Sequence, residues 1–360
     1  MRERGGRRRG SIVVLTVAVR RYRPARAGAV LIAALLALPA LGLLSVLARS
    51  GAWPGLWPGG ASLHPPAQDG SRTLGPPAAG SPAGVAVGPG IPDQCDPPGW
   101  PDPSLYGLFA ENEAPWAGFP RQRLEQQRRA AGAARWLAGF RVTLPEPLFE
   151  EPANLRRAAA LLAGTVVEPG AAFSLNTTIG PYTRDRGYRP GPSYVGGRLV
   201  PTDGGGVCKV ATALYNAVIH SGLTVLERHA HSMIVPYVAP GRDAAVVYGA
   251  KDFRFRNDAG SPVVLWSEVR DLTLFVAVYG SHQPPEVTWH QRVLARQEPW
   301  TLRPYNPELG PGEERVLHEG FPGFTVRTWL TVAYPDRSPE RRDLGVDTYQ
   351  PLPRVIEHGP

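Results

Sequence analysis

The sequence predicts an α+β fold dominated by sheet, preceded by an N-terminal transmembrane helix and closed by a small C-terminal β-rich unit. Three observations carry this expectation. A charge-free run from Ala27 to Ala48 follows a dense arginine cluster. Helical periodicity is confined to residues near 123–162 and to one later segment, Val207 to about Ser221. Beyond Leu223 the chain is mostly a series of β-branched and aromatic runs cut by Gly and Pro turns.

The first element explains the charge. The net charge is +8, and residues 1–26 hold nine arginines against the single acid Glu3, so the remaining chain is formally neutral. A nucleic-acid partner therefore loses its main support. Ala27–Ala48 is long enough, at about 1.5 Å per residue, to span a bilayer core. Arginines on its N-terminal side place the rest of the chain outside the cytoplasm. Val46 and Ala48 also suit a signal-peptide cleavage site, but the apolar run exceeds a typical signal core, which favours an uncleaved anchor.

Five segments emerge from composition: a basic cytoplasmic tail (1–26), a transmembrane anchor (27–48), a Pro/Gly-rich linker (49–120), a main domain with its preceding helices (121–283), and a small β-rich unit (284–360). In the main domain, residues 123–140 read as one helix and Asn154–Leu162 as a second. The runs at 224–238, 244–257, 261–270 and 272–280 read as successive strands. A helix starting at a Gly-rich cysteine loop precedes them and ends at Gly222, suited to a C-cap.

That loop, residues 204–208, is the most informative stretch. Gly204, Gly205 and Gly206 permit unusual backbone angles and close approach, and Val207 leads into the helix. Cys208 falls in the first helical turn, where unpaired N–H groups and the helix dipole favour a thiolate. Lys209 adds positive charge. Cys208, Thr212, Tyr215 and Ile219 form a stripe beside the apolar face of Val207, Val210, Ala211, Leu214 and Val218. Lys209, Thr212 and Tyr215 are thus candidate substrate contacts. Glu227, His229 and His231 alternate in the next run, so on a strand they would share a side and bring a base to the thiol.

Other readings stand beside this one. Cys208 also fits a buried structural thiol, or a disulfide with Cys95, the second of two cysteines. With His229 and His231 it resembles a partial zinc set, although a fourth ligand is missing, so no metal and no cofactor is expected. Asp243 and Asp252 read as turn residues, Arg254 and Arg256 as a solvated strand face, and Tyr182, Tyr188 and Tyr194 as core or rim.

Residues 154–257 resemble a VanW domain. The likeness rests on GTVVEPGAAFSLNTTIGPYTRDRGY (164–188), GGRLVPTDGGGVCKVATALYNAVIHSGL (196–223), VLERHAHSMIVPYVAPGRDAAVVYG (225–249) and DFRFRN (252–257). The family's usual Cys-Gln is here Cys208-Lys209. The C-terminal unit resembles, more weakly, the β-rich domain named for its five glycines. The VanW likeness implies work on peptidoglycan: cysteine acyl transfer on stem peptides, as in an L,D-transpeptidase making 3–3 cross-links, or non-catalytic binding of wall or glycopeptide. In the catalytic case Cys208 is the nucleophile, His231 the first choice of acid/base with His229 second, and Glu227 an orienting carboxylate. N–H groups at Gly206 to Cys208 would hold the oxyanion, and Arg184, Arg186 or Arg198 the stem's carboxylates.

Overall fold

The computed structural model describes residues 100–360, apart from 120, 145, 196 and 197. The arginine cluster, the expected membrane anchor at 27–48 and Cys95 lie outside the described residues. Among the described residues no helix is long and apolar enough to cross a membrane.

The chain opens with strand β1 (Tyr106–Leu108), helix α1 (Gln122–Ala131) and strand β2 (Arg135–Thr143). Two expectations change here. Residues 106–116 are not linker: β1 pairs with β2, and Phe109 and Trp116 are buried. The single helix expected over 123–140 stops at Gly132, whose φ of 63° lets its N–H turn back to the Arg128 and Arg129 carbonyls. Beyond it Leu137, Phe140 and Val142 are worth more in a sheet with both faces covered than on a helix.

Helix α2 (Glu151–Leu162), strands β3 (Thr165–Val167) and β4 (Ala172–Ser174), and helix α3 (Leu175–Ile179) come next. Then come the hairpin β5 (Pro190–Val195) and β6 (Arg198–Asp203), helix α4 (Cys208–His220), and strands β7 (Thr224–Glu227) and β8 (Arg254–Arg256). Strands β9 (Val263–Arg270) and β10 (Thr273–Gly280) complete the main sheet, whose order is β1-β2-β10-β9-β3, antiparallel throughout.

Period-two geometry explains why β9 and β10 are apolar at nearly every position. Val263, Leu265, Leu274, Val276 and Val278 face the core built with α2 and α4. Val264, Trp266, Ala277 and Tyr279 face a second cluster with Phe109, Trp116 and Leu124. Both faces are covered, so neither strand carries a solvent-facing alternation in its buried part.

Helix α4 is enclosed on all sides from Val210 to His220. The two-stripe reading is therefore corrected: Thr212, Tyr215 and Ile219 are buried, and only the first turn, with Cys208 and Lys209, is partly open. Ala211, Ala213 and Ala217 let neighbouring elements approach from every direction.

The expected strand over 224–238 is also shorter. β7 ends at Glu227, and residues 228–246 form an irregular loop carrying His229, His231 and Asp243. The C-terminal strands are β11 (Glu286–Gln297), β12 (Thr301–Leu302), β13 (Glu314–His318), β14 (Gly323–Tyr334), β15 (Arg337–Tyr349) and β16 (Arg354–His358), arranged as sheets β11-β14-β15 and β12-β16-β13. Leu330 and Val332 of β14 enter the same core as α4, so this β-rich part is packed against the main sheet's helices.

Candidate active site

The loop before α4 is shaped by close backbone contact. An added Cβ at Gly205 would come within 2.1 Å of the Gly191 carbonyl on β5, and one at Gly206, where φ is +99°, would meet the Glu151 side chain. Only glycine fits at these two positions. Buried Asn154 pins the same loop: its Nδ2 donates to the carbonyls of Arg189 and Gly205, and its Oδ1 accepts from the Arg189 N–H. Val207 N–H donates to Gly204 O and Lys209 N–H to Gly206 O. The N–H groups of Gly206 and Cys208 have no acceptor among the described residues. They lie at the positive end of α4.

One stripe of α4 holds the loop that faces the thiol. Cys208 Sγ meets Val246, accepting from its N–H at 3.5 Å. Thr212 Oγ1 accepts from Ala244 N–H at 3.0 Å, and Asn216 Nδ2 donates to Arg242 O at 2.8 Å. Four helical residues rise about 6 Å, close to the roughly 6.6 Å of two extended residues. Every fourth position on α4 therefore matches every second residue of 242–246. Thr212, a candidate substrate contact, is a scaffold residue, and Tyr215 packs between Phe253 and Trp289. Both are enclosed by protein.

This pairing delivers Asp243 to the site. Its buried carboxylate accepts four hydrogen bonds. Oδ2 receives His231 Nδ1 at 2.5 Å and the His231 backbone N–H at 2.7 Å, and Oδ1 receives Arg228 Nη2 at 2.8 Å and the Tyr349 hydroxyl at 2.6 Å. On its other side the His231 imidazole is electrostatically coupled to the Cys208 thiol, and Nε2 lies 3.3 Å from the Tyr237 hydroxyl. His231 thus stands between Asp243, which it meets by hydrogen bonds, and Cys208, to which it is coupled by charge.

The electrostatics agree with this geometry. Burial pushes the Cys208 thiol up, but neighbouring His231, the Val246 N–H and Lys209 outweigh it and hold the thiol below its ordinary value. Burial opposes charge on His231 as well, yet Asp243 and Cys208 raise the imidazole to about 9. Asp243 would be pushed up by burial, and instead His231, Arg228 and Tyr349 hold it far below the carboxylate range. The combination shifts Cys208 toward thiolate and His231 toward imidazolium, beside an ionised Asp243.

The remaining expected residues separate from this set. His229 Nε2 pairs with Glu227 at 3.0 Å, and the same carboxylate accepts from Asp252 N–H, so neither residue touches the thiol. The shared-strand reason for grouping them fails because the strand ends at Glu227. This also removes His229 from any zinc set with Cys208, and among the described residues no group of three His, Cys, Asp or Glu is placed to hold a metal ion. Lys209 is ion-paired with Glu151 and lies 4.4 Å from the Tyr237 ring centre. Arg184 pairs with Asp203 in solvent, the Arg186 carbonyl accepts from Arg157, and Arg198 opens β6. Tyr182 packs at the edge of the core beside Cys208, Tyr188 is buried, and Tyr194 is exposed. Cys208 is a free thiol in the structure.

Asp243 is the residue that the turn-like GRD run conceals. The signal that exposes it is spatial: an acid ahead of the apolar run Ala244–Val247 becomes meaningful only once Thr212 and Asn216 fix the loop against α4.

The family model described as VanW like protein matches residues 150–279. This stretch is similar to the VanW family. "Uncharacterized protein YoaR" of Bacillus subtilis (strain 168) is 38% identical over 128 residues, covering 36% of this chain and 42% of that protein. "Vancomycin B-type resistance protein VanW" of Enterococcus faecalis (strain ATCC 700802 / V583) is 28% identical over 137 residues, covering 36% of this chain and 50% of that protein. The chain therefore spans half or less of the length of these relatives. Among solved structures, the IgA1 protease G5 domain is 27% identical, with 22% of this chain and 98% of that chain covered at a TM-score of 0.15. HP0197-G5 is 20% identical, with 21% and 99% covered at 0.13. Cys208, His231 and Asp243 all lie inside the VanW-like domain, whereas Asp347 and Tyr349, which complete their surroundings, lie outside the matched residues.

Proposed function

We propose that this protein is an extracytoplasmic cell-wall enzyme performing cysteine acyl transfer on peptidoglycan stem peptides, an L,D-transpeptidase-like activity that makes 3–3 cross-links. The observation that carries the reading is the Cys208–His231–Asp243 set at the start of α4, with the Gly206 and Cys208 N–H groups beside it. The likeness to a vancomycin-resistance protein of Enterococcus supports a role in the envelope. The arginine cluster ahead of Ala27–Ala48 supports a membrane anchor with the catalytic part outside.

In this reading the Cys208 thiolate attacks the carbonyl carbon of the third stem residue and a C–S bond forms. The oxyanion accepts hydrogen bonds from the Gly206 and Cys208 N–H groups. The C–N bond to the terminal D-alanine breaks as His231 passes its proton to the leaving amine, leaving a thioester. The side-chain amine of a neighbouring stem then attacks, His231 takes its proton, and the thiolate leaves. Asp243 keeps the imidazole oriented and balances its charge throughout.

Muropeptide profiling of cells carrying Cys208→Ala tests this. A fall in 3–3 cross-links is expected. Unchanged cross-linking would sink the enzymatic claim, and a variant that still sediments with isolated sacculi would then favour a non-catalytic wall-binding module.

A further inference from the structure

Several hydrogen bonds join the C-terminal β strands to the loop that carries His231 and Asp243. Tyr349, at the end of β15 and 2% exposed, donates to Asp243 Oδ1 at 2.6 Å and accepts from the Gly241 N–H at 2.6 Å. Asp347, two residues earlier on the same face of β15, accepts from Arg228 Nη1 at 2.5 Å. Arg228 in turn donates through Nε to the Asp243 carbonyl at 2.7 Å and through Nη2 to its carboxylate. The Gln350 N–H donates to Ser232 O at 2.7 Å, and the Gln291 side chain of β11 donates to Pro240 O. Thr328 of β14 closes the space over Gly241, where φ is +84°.

An irregular loop of this length has no ladder of its own to hold it. One side of it is fastened to α4 through Cys208, Thr212 and Asn216. The other side is fastened to the C-terminal strands. Asp243 has four donors, and one of them comes from outside the VanW-like residues.

We infer that Tyr349 and Asp347 are positioning residues for the Cys208–His231–Asp243 set, so that the C-terminal β unit is a structural part of the active centre rather than an appended module. Its chemical consequence rests on the acyl-transfer reading, but its geometry does not. Tyr349 fixes the rotation of the Asp243 carboxylate and the backbone turn at Gly241. Asp347 balances Arg228, which leaves more of the Asp243 charge to act on His231. The groups facing His231 are Asp243, Cys208 and Tyr237, with Arg228, Lys209, Tyr349 and Asp347 behind them.

The experiment is iodoacetamide labelling of Cys208 in the full chain, with peptide mass spectrometry across a pH series, which reads Cys208 separately from Cys95. Tyr349→Phe and Asp347→Asn should each move the acid limb of the labelling profile to higher pH. A thiol pKa higher by one would lower the rate on that limb about tenfold. Thr348→Ala, on the exposed face of β15, should leave the profile in place. Wild-type profiles in folded Tyr349→Phe and Asp347→Asn would overturn the inference. If Tyr349→Phe fails to fold, Asp347→Asn decides alone, since it removes charge with little change of shape. Failure of the cross-linking claim would leave these labelling profiles fully informative, so the two ideas fail separately.

Discussion

His231 and Asp243 are twelve residues apart on one irregular loop, and Nδ1 of the first meets Oδ2 of the second at 2.5 Å. The same oxygen accepts the His231 backbone N–H, so the carboxylate fixes both the ring and the chain that carries it. A histidine held this way presents one defined edge to Cys208.

Removing the carboxylate should therefore strike reactivity and stability together. Asp243→Ala leaves Arg228 with Asp347 alone and deprives His231 of its counter-charge. A loss of about 3–5 kcal/mol in folding free energy is expected for breaking a buried ion pair, read by urea denaturation. Asp243→Asn should retain more stability, yet Cys208 labelling at neutral pH should still fall as the thiol returns toward its ordinary value.

The proposed acyl transfer should show a bell-shaped pH dependence. Its acid limb reports the lowered Cys208 thiol, and its alkaline limb lies near the His231 value of about 9. For stability the signs differ by group. His231 is raised above its ordinary 6.5, so its contribution is complete below that value and lost as pH rises through about 9. Asp243 is depressed, so its contribution is present above the ordinary carboxylate range and lost as pH falls through its folded value. The lowered thiol opposes the alkaline loss and softens it. Thermal unfolding should thus show an acid-side decline that Asp243→Asn diminishes.

The Lys209–Glu151 pair is nearly buried, with side-chain exposures of 14% and 4%. Glu151→Gln should cost about 3–5 kcal/mol by stranding the lysine. Adding Lys209→Gln should recover much of that loss, because no unpaired charge remains. Equal destabilisation of single and double variants in denaturant melts would refute the pairing as the cause.

Gly205→Ala should disturb the site without touching a reactive group. The methyl would press on the Gly191 backbone, which has no flexible end to move aside. Overpacking of this kind costs about 1–3 kcal/mol. The substitution should also displace the Gly206 and Cys208 N–H groups, so the proposed cross-linking is expected to fall further than the melting temperature suggests.

Much of the centre is legible in the residues alone. Three glycines, a thiol in a first helical turn and a helix closing at Gly222 are local features, and local sterics imply them. His231 is the first acid/base candidate in the sequence, although the shared strand face that suggests it does not exist. Glu227 and His229 enter through that same alternation and belong to a separate pair. The helix expected over 123–140 fails for a related reason: Ala-rich composition favours helix, while burial of Phe140 and Val142 in a sheet covered on both sides favours strand, and tertiary burial is the larger effect.

The sequence by itself determined the chemistry available: an apolar span behind arginines, one thiol poised at a helix start, and histidines downstream. Which groups meet was decided by the tertiary structure alone. Asp243 becomes a buried acceptor of four hydrogen bonds because α4 pairs every fourth residue with alternate residues of 242–246, and because Tyr349 arrives from 106 positions away. Neither contact has a local periodicity, since each depends on two segments whose approach is set by packing rather than by spacing along the chain.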